Sequence, residues 1–157
     1  MKMMKSNRTC YEAALHLLKY RNQSEKELRR KLKDREYTRD EITKTLEKLK
    51  YYGYVNDDDL AEEVFNAYRK RHCYGISYIR QKMKMQGLIC QWQISEEEER
   101  NNALYILSAK AKIVPAILSN YRKAVSFLKR RGFSYSSIIF ALHELDVKDA
   151  PADSDFF

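Results

Sequence analysis

Helix-start signals recur along this chain, and they constrain its fold more than any other feature of the sequence. Three segments fit the capping box, in which a hydroxyl and a carboxylate satisfy backbone N–H groups that the first helical turn leaves unpaired. Asn56, followed by three aspartates, and Pro115 indicate two further starts. Four glycines and two prolines are too few for a fold built from tight hairpins. The sequence therefore predicts an all-α protein of about nine helices. The three capping boxes are Ser24-x-x-Glu27, Thr38-x-x-Glu41 and Ser95-x-x-Glu98.

Apolar positions also match between distant segments, which indicates an internal repeat. A shift of 96 residues aligns six apolar positions, and a shift of 51 aligns three of them with a middle segment. We therefore predict an elongated array of three tandem three-helix repeats, the second with a shorter last helix. The repeats are expected at 1–54, 55–95 and 96–145, and an acidic, disordered tail at 146–157. The aligned sets are Leu28, Leu32, Tyr37, Ile42, Leu46 and Leu49 with Ala124, Leu128, Phe133, Ile138, Leu142 and Leu145, and the first three also with Ile79, Met83 and Leu88.

The net charge of +8 is concentrated in the second half of the chain. Residues 1–63 hold 15 basic and 13 acidic residues, whereas residues 64–143 hold 14 basic residues and only the four acids Glu96–Glu99. No acid lies within residues 64–94. A single cation on a helix is usually a solvated side chain, but a long stretch without a carboxylate favours a surface for a polyanion or an acidic protein.

Eleven residues form the predicted surface for a protein partner or DNA. They come from the acid-free stretch and from the basic end of the penultimate helix, and tyrosines interleave the cations. Such tyrosines stack on bases or anchor a protein contact, and the sequence leaves both alternatives open. The predicted residues are Arg69, Lys70, Arg71, Tyr74, Tyr78, Arg80, Lys82 and Lys84, with Lys129, Arg130 and Arg131 as a secondary cluster.

Catalytic patterns are weak in this sequence. Its three histidines, His16, His72 and His143, are far apart, and it has no phosphate-binding loop, nucleophile elbow or dinucleotide fingerprint. The run Asp57–Asp59 contains ligand types for Mg²⁺, but first-turn carboxylates at a helix start explain the same residues. We therefore predict a protein that is not an enzyme and that has no metal site and no cofactor.

The cysteines and the apolar runs point to the cytoplasm. Cys10, Cys73 and Cys90 fall in no metal-ligand spacing and cannot all pair, as expected of reduced thiols. The longest apolar run, at 113–118, is far shorter than the ~20 residues that a membrane-spanning helix requires. No apolar signal region follows the basic first ten residues, so we expect a soluble, untargeted protein.

Four motifs, taken in their order and spacing, resemble the RecX family, the bacterial regulators of the RecA recombinase. The likeness extends from about Tyr11 to Leu145. The sequence departs from the family pattern at Ile76, where proline is common, at Tyr78, often basic, and at Lys82, often acidic. The motifs are Arg21-x-x-Ser24-x-x-Glu27-Leu28-x-x-x-Leu32, Tyr52-Gly53-Tyr54-Val55-Asn56-Asp57-Asp58, Tyr74-Gly75-x-x-x-Ile79-x-x-x-Met83-x-x-x-Gly87-Leu88 and Arg130-Arg131-Gly132-Phe133-Ser134.

The resemblance implies a non-enzymatic helical modulator, expected to be monomeric, that binds RecA and the RecA–DNA filament. In the family, binding to the filament restrains strand exchange, ATP hydrolysis and stimulated repressor cleavage by RecA. These activities belong to homologous recombination, DNA repair and the SOS response. Direct contact with single- or double-stranded DNA is a further expectation.

Two other interpretations stay open at the level of sequence. The first is a helical nucleic-acid-binding module that acts without RecA, and the second is a metal-dependent hydrolase at Asp57–Asp59. The terminal segment Asp153–Phe157, in which acids precede two phenylalanines, is either a disordered end or a short docking peptide.

Overall fold

The computed structural model describes residues 7–148, and within them it is built from helices alone. This confirms the predicted all-α class. No helix in this part of the chain is both long enough and apolar enough to cross a membrane. The elements are α1 (Cys10–Leu18), α2 (Glu25–Asp34), α3 (Arg39–Tyr51), α4 (Asp57–Lys70), α5 (Ile76–Met85), α6 (Glu96–Ile113), a 3₁₀ helix (Pro115–Ser119), α7 (Tyr121–Arg130) and α8 (Tyr135–Glu144).

The predicted helix starts are present. Ser24 and Thr38 each complete a reciprocal capping box with the glutamate three residues on. The side chain of Asn56 accepts a hydrogen bond of 3.1 Å from the Asp59 amide at the start of α4. Pro115 also begins a helix, but a short 3₁₀ helix rather than an α-helix.

The chain divides into two compact units. In the described residues, unit 1 comprises 7–64 and 83–90, and unit 2 comprises 65–82 and 91–148. The boundary falls inside α4 and inside α5, so the units do not follow the limits expected of the repeats. The repeat limits at residues 54 and 95 therefore stay a prediction.

Unit 1 has its core among α1, α2 and α3. Leu28 and Leu32 of α2 and Leu49 of α3 are completely buried there. The hydroxyl of Ser24 caps α2 and also donates a hydrogen bond to the carbonyl oxygen of Gln86, which ties residues 83–90 to the start of α2.

Unit 2 has its core among α6, the 3₁₀ helix, α7 and α8. Leu107 of α6 and Leu128 of α7 are completely buried, and Ile138 of α8 is nearly so. Val147, which follows α8, is buried in the same core, so packing continues past residue 146, where the tail was expected to begin. The segment Asp153–Phe157 lies outside the described residues.

The internal repeat is confirmed in α2, α5 and α7, which begin and end at equivalent positions under shifts of 51 and 96 residues. Each helix is closed by a residue with positive φ, where a left-handed conformation ends the helix. The closing residues are Glu36 (+66°), Gly87 (+80°) and Gly132 (+82°). The second repeat has two helices rather than three, because the seven residues between Gly87 and the α6 cap Ser95 leave no room for another helix with its turns.

Candidate binding surface

The start of α5 and the end of α7 are in direct backbone contact in unit 2. The Gly75 amide donates a hydrogen bond of 2.8 Å to the carbonyl oxygen of Arg131. A Cβ atom on Gly75 would lie 2.1 Å from the Gly132 carbonyl oxygen, and one on Gly132 would lie 2.3 Å from the Tyr78 amide nitrogen. Both positions therefore require glycine. The contact joins two basic clusters that are more than forty residues apart in sequence.

Two tyrosines and two cations form a ladder at this contact. The rings of Tyr74 and Tyr78 stack with their centroids 4.1 Å apart and their planes 4° apart. The Arg131 guanidinium lies over the Tyr74 ring at 5.6 Å, and the Lys82 ammonium lies over the Tyr78 ring at 5.3 Å. We call these four residues the tyrosine–cation ladder. Each ring stacks on the other and also lies under a cation, and these contacts restrain the positions of the two cations.

Tyr68 of α4 contacts both tyrosine rings of the ladder. Its ring meets the rings of Tyr74 and Tyr78 edge to face, at centroid distances of 5.7 and 6.1 Å. The Arg71 guanidinium lies over Tyr68 at 5.4 Å. The aromatic residues thus connect three predicted cations, Arg71, Lys82 and Arg131, through one continuous set of rings.

The Tyr78 hydroxyl of the ladder has a raised pKa. Burial raises the pKa of the Tyr78 hydroxyl, and the neighbouring Tyr74 hydroxyl raises it further. Tyr78 is therefore a neutral phenol at neutral pH and contributes no negative charge beside Lys82.

Arg69 differs from the other predicted cations because a carboxylate neutralises it. Its Nε and Nη2 donate hydrogen bonds of 2.8 and 2.7 Å to the two carboxylate oxygens of Glu98. This contact lowers the pKa of Glu98, for which the hydrogen bond from Arg69 is the main cause. Ser95 still caps α6 by accepting from the Glu98 amide, but the Glu98 side chain reaches Arg69. One cation of the acid-free stretch 64–94, Arg69, is therefore neutralised by a carboxylate that lies outside this stretch in the sequence.

We expect Glu98→Gln to lower the free energy of unfolding at pH 7 by about 0.5–1 kcal/mol, a value discounted because Arg69 is about half exposed. The Glu98 pKa is lowered on folding, so the stabilisation is present above the unfolded-state pKa and is lost as pH falls through the folded-state pKa. Urea unfolding at pH 7 and at pH 3 measures this. An equal loss at both pH values would mean that the ion pair is not its source.

The cations of α5 are less compensated than those at equivalent positions of α2. A shift of 51 residues aligns Arg80 with Arg29 and Lys82 with Lys31. In α2, Arg29 pairs with Glu25 at 3.5 Å, and Lys31 donates a hydrogen bond to the side chain of Gln23. In α5, Arg80 is exposed, and Lys82 lies over an aromatic ring. Both α2 and α5 therefore have cations at these two equivalent positions, but α5 contains no acid that could pair with them.

The remaining predicted residues divide between the units. Lys70, Lys129 and Arg130 are exposed on unit 2. Lys84 is exposed too, but it belongs to unit 1 although it lies on the same helix as Arg80. Within unit 2 the structure brings Arg71, Tyr74, Tyr78, Lys82 and Arg131 together through ring contacts, and Arg130 lines the cavity beside them.

Lys110 is a cation of this surface that the sequence did not single out. Its ammonium lies 5.8 Å over the Phe127 ring, on which the Arg131 guanidinium also lies, at 4.8 Å. Lys110 and Phe127 line a cavity of about 370 Å³ together with residues of the ladder. The only sequence signal for Lys110 is that it lies in the basic region after Glu99.

Asp57, the first aspartate of α4, has a structural contact. The Asp57 carboxylate accepts a hydrogen bond of 3.0 Å from the Glu25 amide at the start of α2, and burial raises the Asp57 pKa. Among residues 7–148 no group of three or more His, Cys, Asp or Glu side chains is arranged to hold a metal ion. The helix-start interpretation therefore accounts for Asp57 and Asn56 without a ligand.

Comparison with known proteins gives a consistent family likeness. Residues 10–49, which contain α1 to α3 except for the last two residues, match the model of the RecX first three-helix domain. The chain is 29% identical over 149 residues to the regulatory protein RecX of Actinobacillus pleuropneumoniae serotype 5b (strain L20), covering 92% of this chain and 97% of the relative. It is 28% identical to the regulatory protein RecX of Bacillus pumilus (strain SAFR-032), covering 85% of this chain but 54% of that longer protein.

A solved structure shares the fold. The crystal structure of RecX from Lactobacillus salivarius superposes with a TM-score of 0.69 at 23% identity, covering 88% of this chain and 96% of the other. The predicted helical-repeat class therefore agrees with an experimentally determined fold.

Proposed function

Because the chain belongs to the RecX family, whose relatives are named regulatory proteins, we propose that it is a non-enzymatic regulator of the RecA recombinase. It binds RecA and the RecA–DNA filament in the cytoplasm. Through that contact it inhibits or modulates strand exchange, ATP hydrolysis and coprotease activity, and so acts in homologous recombination, DNA repair and the SOS response.

The observation that carries this proposal is the joining of the two basic clusters in unit 2. The Gly75–Gly132 contact places Arg131 beside Tyr74, and Lys82 lies over Tyr78 of the same ring stack. Cations held by aromatic rings lose less side-chain freedom when they bind an anion than freely rotating cations do. The surface therefore suits acidic protein groups and phosphates, both of which a protein–DNA filament presents.

RecA-dependent ATP hydrolysis on single-stranded DNA tests the proposal. We expect hydrolysis to fall as the protein is added and to reach a plateau when the filament is saturated. Hydrolysis by an unrelated DNA-dependent ATPase on the same DNA is the control, since it should not change. If the RecA rate is unaffected at saturating protein, the proposed function is wrong.

A nucleic-acid-binding module that acts without RecA is the second candidate. The cations of α5 and α7 favour it, and six phosphate contacts would lower the affinity for DNA about 10³-fold between 50 and 200 mM salt. Tight binding to bare DNA with this salt dependence, together with unchanged RecA activity, would select this candidate over the first.

A further inference from the structure

A groove in unit 2 has cations along its length that the predicted surface does not include. It lies among α6, the 3₁₀ helix and α7 and encloses about 530 Å³. The residues that line it contain no Asp or Glu within the described part of the chain. We call it the basic groove. Its charged and polar lining consists chiefly of Lys110, Arg122, Lys123, Ser126 and Arg130.

The basic groove is continuous with the cavity beside the tyrosine–cation ladder. The two share Lys110, Phe127 and Arg130. Phe127 is buried to more than nine-tenths and supports the cations of Lys110 and Arg131 on its ring. The groove and the ladder therefore form one continuous positively charged surface, in which Lys110 and Arg131 lie over the ring of Phe127.

Three acids at the start of α6 have partners of their own and lie far along the helix from Lys110. Glu98 pairs with Arg69, Glu99 accepts a hydrogen bond of 2.7 Å from the Ser134 amide, and Glu96 pairs with Arg100 at 2.7 Å. All of them lie in the first turn of α6. Lys110 is 11 residues beyond Glu99, a rise of about 16 Å along the helix. That separation exceeds the Debye length of about 8 Å at physiological salt, so these acids have little effect on the charge of Lys110.

We propose that the basic groove binds the sugar–phosphate backbone of a single DNA strand, with Lys110, Lys123 and Arg130 contacting its phosphates. The proposal rests on the proposed function for the identity of the nucleic acid as the DNA of a RecA filament. It adds a binding site in the third repeat and names the filament component that this site contacts.

The dimensions of the groove favour one strand over a duplex. A cavity of about 530 Å³ is in the range of sites for a small molecule or a nucleotide-sized group. A double helix, whose major groove alone is about 12 Å wide, would touch only the rim. The exposed apolar lining residues Val114 and Ala116 give sugars and base edges a surface to contact, whereas an acidic peptide would leave that surface uncovered.

Fluorescence anisotropy of a labelled oligothymidylate with the full chain, without RecA, tests the groove. Three phosphate contacts, at Lys110, Lys123 and Arg130, predict a slope of log affinity against log salt near −2.1, at about −0.7 per contact. The double variant Lys110→Gln, Lys123→Gln should reduce the slope by about 1.4 and weaken binding roughly 25-fold at 0.1 M salt. The control, Arg30→Gln with Lys44→Gln, changes the net charge equally at exposed positions of unit 1 and should retain wild-type affinity.

Four outcomes would overturn the groove proposal. They are the absence of oligonucleotide binding, equal losses in the groove variant and the control variant, equal affinity for a duplex of the same length, and equally tight binding of polyglutamate. RecA-dependent ATP hydrolysis, measured on the same samples, separates the two proposals. Unchanged inhibition without oligonucleotide binding would refute the groove alone, and oligonucleotide binding without any effect on RecA would refute the proposed function alone.

Discussion

We expect Gly132→Ala to lower the free energy of unfolding by about 3–4 kcal/mol. The φ of +82° costs an L-amino acid roughly 1–2 kcal/mol. The added Cβ would also lie 2.3 Å from the Tyr78 amide nitrogen and 2.6 Å from its Cβ, and overpacking of this kind costs about 1–3 kcal/mol. Because the backbone of α5 must move to relieve the clash, the loss should be accompanied by displacement of the ladder residues Tyr74 and Tyr78.

Gly53→Ala is the matched control for this substitution. Gly53 has a similar φ of +75°, but a Cβ there would meet no atom within 4 Å. It should therefore cost only the backbone strain, about 1–2 kcal/mol. Urea unfolding of both variants measures the difference, and near-ultraviolet circular dichroism reports the packing of the tyrosines. Equal destabilisation by the two substitutions would contradict the close contact between α5 and α7.

Local sequence patterns were sufficient to predict the helix starts and the equivalence of α2, α5 and α7. A capping box is complete within four residues, so Ser24 and Thr38 reveal their helix starts without knowledge of tertiary structure. Leu32 and Leu128 occupy the same position in the apolar pattern of α2 and α7, and both side chains are completely buried. Such features depend on periodicity and on neighbouring residues, which a single sequence contains.

Contacts between distant segments could not be predicted in the same way. Glu98 fits a capping box in the sequence, but in the structure its carboxylate pairs with Arg69, 29 residues away. The spacing of Tyr74 and Tyr78 did not reveal that they stack on each other under Arg131 and Lys82, while their contact with bases or a protein partner stays a prediction. Ring stacking and ion pairing of this kind depend on which helices meet, and the spacing of residues along one helix does not specify that.

The departures of this chain from the family pattern have a joint physical explanation. Where the family that it resembles often has a basic residue at 78 and an acidic one at 82, this chain has Tyr78 and Lys82. Positions four apart on a helix are neighbours, so the pair remains attractive as a cation–π contact of 5.3 Å. The exchange makes this part of α5 more positive while keeping an attraction between the two side chains.

We expect reversal of three cations on α5 to abolish association with the RecA filament. The variant is Arg80→Glu, Lys82→Glu and Lys84→Glu, and the cations that it replaces are all predicted binding residues. If they meet phosphates, losing three contacts weakens binding by more than about 100-fold at 0.1 M salt. If they meet acidic protein groups, like charges placed opposite each other cost several kcal/mol, which is a loss of similar size. The effect is therefore large for either component of the filament.

A second triple reversal controls for net charge. Arg30, Lys33 and Lys44 are exposed residues of unit 1 outside the predicted surface, and replacing them with glutamate changes the net charge by the same amount. Both variants should keep the far-ultraviolet circular dichroism of a helical protein, because the replaced side chains are not part of either core. A difference between the variants can then be assigned to the position of the charges.

Co-sedimentation with RecA filaments on single-stranded DNA tests whether the cations of α5 bind the filament. We expect the wild-type protein and the Arg30, Lys33 and Lys44 variant in the pellet with the filaments, and the α5 variant in the supernatant. A wild-type protein that stays in the supernatant, or an α5 variant that sediments as well as the wild type, would contradict this expectation.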